Sequence, residues 1–167
     1  MAGVVAVLLI GALVVSRMTA HTVPAPPAGA TTTPDAATAT YIAMVNSDMN
    51  TLDFQFGKRY DCKTRAVCID ELQQINTVAG KLLRDLSAAA PPPGLAGAGG
   101  RLKNAAQQFV DQVGATLLVL QRPDSEYITA SAVPEIHDLD LAAGGVICWP
   151  ATPVPVWGES TTGYTCH

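Results

Sequence analysis

The sequence predicts an all-α fold, an up-down four-helix bundle, on three observations. Large hydrophobics recur at steps of three and four in successive stretches from Tyr41 onward, the spacing that lines one face of a helix. Proline- and glycine-rich breaks separate those stretches. The chain is 49% hydrophobic but only 5% aromatic, so the apolar content is mostly Ala, Val and Leu, a mixture that favours closely packed helices. Four cysteines add the expectation of two local disulfides, the second closing an irregular C-terminal tail.

Residues 1–18 read as a signal peptide or an N-terminal membrane anchor. Ala2 to Val15 form an unbroken apolar or small run of fourteen, ended by Ser16, Arg17 and Met18. A bilayer span needs roughly 20 residues, and a signal peptide has a shorter apolar region. No basic residue precedes the run, and the small-residue cleavage candidate ending at Ala20 carries Met18 where a small side chain is preferred. Cleaved and retained forms are therefore both open. No cysteine follows the run to accept a lipid, which argues against a lipoprotein. Residues 19–37 are Thr, Ala and Pro with few large hydrophobes, the composition of a disordered tether, and one suited to O-glycosylation.

The bundle is expected over 38–147. Ile42, Val45, Met49, Leu52 and Phe56 place a first helix from about Asp35 or Thr38 to about Tyr60, with Met44 and Met49 as core filler. Cys68, Leu72, Ile75, Ala79, Leu82 and Leu86 mark a second, stopped by Pro91, Pro92 and Pro93. A third is clearest from Leu102 through Phe109 and Val113 to Leu120, ending near Arg122 and Pro123. Ile128, Ala132, Ile136, Leu139, Ala143 and Val146 keep the spacing for a fourth, which Pro134 must kink or restart. Four amphipathic helices bury their stripes only against one another.

In an exported chain the four cysteines read as a disulfide framework, and the most local of the three pairings joins Cys62 to Cys68 and Cys148 to Cys166. A continuous helix would separate Cys62 and Cys68 by ~9 Å, beyond the ~7 Å limit for a disulfide, so the turn between the first two helices falls between them. The second bond would close a tail, 148–167, with Trp149 and Trp157 over the open end of the core. The C-x-x-C pairs of structural zinc sites are absent, and neither a metal nor a cofactor is expected.

Net charge −4 and a pI near 5.2 argue against nucleic-acid binding by the whole surface. One local exception stands out. Lys58, Arg59, Lys63 and Arg65 cluster at the first turn, and the up-down topology brings Arg122 to the same pole, a candidate patch for an anionic polymer or an acidic envelope protein. Glu135, His137, Asp138 and Asp140 are the densest titratable group. Their spacing does not converge on one ion, and they read as a solvated helix face. His137 has no nucleophile in a recognisable signature, so no catalytic residue is assigned and no enzyme is expected.

The segments "FGKRYDCKTRAVCIDELQQI", "APPPG" and "DLDLAAGGVICWP" resemble those of secreted or membrane-anchored helical-bundle proteins of high-GC actinobacteria, over roughly Tyr41 to Pro150. The resemblance implies an envelope location and an all-helical fold, and brings no catalytic residues with it. The functional expectation is a non-enzymatic extracytoplasmic module acting through a helix face or the basic pole, with membrane contact through residues 1–18 if they are retained. The alternative is a binder of a small hydrophobic ligand within the bundle, between small side chains such as Ala79, Ala105, Ala106 and Gly114.

Overall fold

The computed structural model describes residues 33–58, 63–123, 135–151, 153–158 and 161–166. The chain divides into two units, Met1–Thr31 and Thr32–His167, and every described residue belongs to the second. The Ala2–Val15 run and most of the expected linker lie outside the described residues. Among the described residues, no helix is long and apolar enough to cross a membrane.

Helix α1 spans Ala36–Gly57, and its start is set by Asp35, whose carboxylate accepts the Thr38 amide at 2.7 Å. That bond is stronger to the charged form and so holds the Asp35 carboxyl below its ordinary value. Helix α2, Arg65–Ala88, begins on a weaker cap, the Thr64 hydroxyl accepting the Val67 amide at 3.3 Å, and ends ahead of the prolines. A 3-10 turn, Pro93–Leu95, leads directly into α3, Ala96–Leu120. The third helix therefore starts six residues before Leu102, and the glycine-rich stretch is helical. Helix α4, His137–Ile147, is shorter than the periodicity suggests; Ile128, Ala132 and Pro134 lie outside the described residues.

Each helix packs on two others, α1 and α3 both against α2 and α4. Side-chain contacts fix the directions. Lys81 of α2 meets Asp48 of α1, Arg65 at the start of α2 meets the end of α3, and Glu135 and Asp138 lie beside Gln112 and Gln108 of α3. Successive helices thus run antiparallel. The stripes read from the sequence form the core: Val45, Leu52, Ile75, Ala79, Leu82, Leu102, Ala106 and Val113 are fully buried, and Phe56 meets Phe109 edge-on at 5.9 Å. Met49 is in the core and Met44 packs against it.

One glycine of the break is needed for close approach. A Cβ on Gly99 would lie 2.7 Å from Pro91 Cβ and 2.9 Å from the Tyr41 hydroxyl, so the start of α3 reaches α1 and the proline run only without a side chain there.

The tail departs from the expectation of irregular structure. Strands β1, Pro153–Gly158, and β2, Thr161–Cys166, form an antiparallel hairpin, with Pro153 opposite Cys166 and Gly158 opposite Thr161. Both strands approach α4. The prolines permit this because each strand of a two-stranded ribbon has a free edge, and Pro153 and Pro155, two apart, share one edge for their missing donors. The Cys148–Cys166 disulfide is formed, with Cα atoms 5.1 Å apart, and ties the end of the hairpin to the end of α4. Cys68 is also disulfide-bonded; Cys62, its expected partner, lies outside the described residues. Trp149 is half-buried against the core with its indole over Gly94, while the Trp157 side chain lies outside what is described.

Candidate functional site

The basic pole is built by three helix ends. Arg65 Nε donates to the Leu120 carbonyl at 2.5 Å and Nη2 donates to the Arg122 carbonyl, so one guanidinium caps the last turn of α3 with a forked pair of hydrogen bonds. The cation favours the negative end of that helix. This contact brings Arg65 and Arg122 together, and both acceptors are neutral carbonyls, so the Arg65 charge is retained. Lys63, two residues before α2, is exposed. Lys58, at the end of α1, holds its ammonium 4.7 Å from the centre of the Phe54 ring. Arg59 lies outside the described residues.

The same pole carries something the sequence reading did not single out. Among the described residues the exposed large hydrophobics are Phe54, Val67, Leu118 and Val119, with Phe54 67% and Leu118 65% exposed. All four belong to the α1–α2 and α3 ends that bear the cations. A signal was available: Phe54 and Leu118 fall between or beside stripe positions (Leu52 and Phe56, Leu117 and Leu120), so a helix that buries its stripe must turn them outward.

The Glu135–Asp140 group divides. Glu135 and Asp138 are exposed and His137 is half-buried, but Asp140 is only 4% exposed, against the expectation of a wholly solvated face. The physical reason is spacing: Asp140 lies four residues from Ile136 and from Gly144, both buried, and so shares their inward side. On α1, burial and then the Asp140 charge push the Asp53 carboxyl up to about 7. Asp53 is exposed over much of its surface, so solvent screening reduces the effect on stability. Across α1 and α2, Lys81 binds Asp48 at 2.5 Å and Asp85 at 2.6 Å, and Asp48 is only 5% exposed. The hydrogen bonds that Lys81 donates to Asp48 and then to Asp85 hold its ammonium above the ordinary lysine value, and the same bond to Lys81 lowers the Asp85 carboxyl.

A groove of about 400 Å³ runs between α3 and α4, lined by Arg101, Asn104, Gln108 and Asp138 together with Ala105, Leu141 and Ala142. A larger, mainly apolar groove of about 700 Å³ lies at the opposite pole, between the first turns of α1 (Ala37, Tyr41, Met44) and the segment from Ala89 to Pro93. Among the described residues, no group of three or more His, Cys, Asp or Glu is placed to hold a metal ion. No family model, curated protein or solved structure matches the chain.

Proposed function

We propose that this chain is a non-enzymatic module of the cell envelope that binds another macromolecule through its basic pole. The observation that carries the reading is the joining of Arg65 to the end of α3, which gathers cations from three helix ends into one surface on a chain whose net charge is −4. Export rests on the Ala2–Val15 run and the disulfides, since such bonds persist in oxidising compartments. Contact through the pole calls for an anionic partner. Affinity capture from intact envelopes with the full chain and its Lys58→Glu/Lys63→Glu variant tests this. The expected result is a co-purifying envelope component lost from the variant. Equal recovery by both forms would remove the pole from the function.

A second reading, a binder of a small hydrophobic ligand, is favoured by the apolar groove at the opposite pole, whose volume of about 700 Å³ is in the range of ligand sites. It moves the ligand from between the helices to the surface: Ala79 and Ala106 are fully buried in the core. A small apolar molecule recovered in equal proportion to the protein, and displaced by Met44→Glu, would put this reading first.

A further inference from the structure

Independently of the basic pole, we infer that the groove between α3 and α4 binds a short peptide with free termini, its carboxylate at Arg101 and its ammonium at Asp138. Helix α3 sets Arg101, Asn104 and Gln108 in a row at steps of three and four, and α4 brings Asp138 beside Gln108. The groove therefore has a cation at one end, a carboxylate at the other and two carboxamides between them. Glu135, in the adjoining recess, adds a second carboxylate at the Asp138 end. All five polar side chains are exposed, with Ala105, Leu141 and Ala142 half-buried alongside. None of the five makes a side-chain hydrogen bond or ion pair with another described residue, whereas Gln74, Lys81 and Gln107 each pair with a carboxylate one turn away on their own helix.

Spacing and charge together select the ligand. Arg101 and Gln108 are seven positions apart, about 10 Å along the helix. The Arg101 guanidinium is turned back toward the start of α3, its Nη1 3.8 Å from where a Cβ on Gly97 would lie. A free amino acid, with one residue between its charges, is too short to meet both ends. Three or four residues of extended chain, at about 3.3–3.6 Å each, span the distance. Each interior peptide group offers one donor and one acceptor, and the carboxamides of Asn104 and Gln108 offer the same pair in return. A guanidinium takes a terminal carboxylate as a charge-assisted fork, which fixes the direction of the peptide. A polyanion would meet two carboxylates for one cation, and a polycation would meet Arg101. A wholly apolar molecule would strip water from the polar row without replacing its hydrogen bonds. Ala105, Leu141 and Ala142 suit small apolar side chains on the peptide.

The experiment is a nuclear magnetic resonance titration of the isotope-labelled full chain with trialanine and tetraalanine, read at the backbone amides and at the side-chain amides of Asn104 and Gln108. Free alanine and peptides blocked at one or both ends are titrated beside them. Saturable shifts over 101–112 and 135–142 are expected with the free peptides and not with alanine. Amidating the peptide C-terminus should weaken binding about fivefold, and so should Arg101→Gln. The two together should cost no more than either alone, because both remove the same ion pair. Acetylating the peptide N-terminus and Asp138→Asn/Glu135→Gln should behave in the same way as a pair. Blocking the peptide leaves the protein untouched, so the assignment is tested even where a variant folds poorly. Equal binding of free and doubly blocked peptides would overturn it, as would binding of alanine alongside the peptides. Shifts only outside the groove, or no saturable shift with either free peptide, would overturn it as well.

Discussion

Two carboxylates on α1 have opposite relations to charge, and each makes a prediction. Asp53 is pushed up to about 7 from an ordinary 3.8, so the native state holds a proton that the unfolded chain has released by mid-range pH. A group raised in the fold adds stability that is fully present below its unfolded value and disappears as pH rises through its folded one. Stability should therefore decline between about pH 4 and 7 through this residue, and Asp53→Asn should flatten that part of the curve. Melting temperatures across pH 4 to 8 check this; parallel curves for the two proteins would refute it. Asp48, by contrast, is buried and keeps a cation. Lys81→Met preserves the aliphatic stem but strands the carboxylate, at a cost of about 1–3 kcal/mol in urea unfolding with an unchanged slope. Asp85→Asn leaves Asp48 its lysine and should change little.

At the scale of elements, the stripes were legible because each helix obeys one spacing, and the breaks because proline cannot continue a helix. What escaped the sequence depended on partners elsewhere in the chain. The early start of α3 is one case: glycines argue locally against a helix, but Gly99 is held between Pro91 and Tyr41, and tertiary packing outweighs propensity. Gly99→Ala should then lose about 1–3 kcal/mol to overpacking, despite the helix-propensity gain. Gly100→Ala, whose Cβ meets nothing within 4 Å, should gain up to about 1 kcal/mol. Denaturant midpoints of the pair decide it, and two stabilised variants would mean that the break tolerates a side chain throughout. The hairpin was hidden for a related reason, since its prolines read as irregular until a partner strand fixes which edge is free. In the candidate site the cationic cluster was visible as a run of residues. The cap that Arg65 places on α3, 55 residues away, was not.

For the molecule as a whole, the question is how a short fourth helix stays in the bundle. Helix α4 has 11 residues against 22 to 25 in the others, and fewer than about 12–15 residues is marginal for a helix on its own. Its hold comes from Leu139, Ala143 and Val146 in the core and from the hairpin behind it, which Cys148–Cys166 ties to its last turn. That bond closes a loop across 18 positions, and restricting the unfolded chain to this extent contributes about 3 kcal/mol. Cys148→Ala/Cys166→Ala should therefore lower the melting temperature by about 10 °C in a domain of this size. The paired substitution is preferable to a reductant, which would also open the bond held by Cys68. Far-ultraviolet circular dichroism before melting should keep its helical signal, because the core contacts of α4 remain. An unchanged melting temperature would mean that the tail is a passenger on a bundle already complete at Val146.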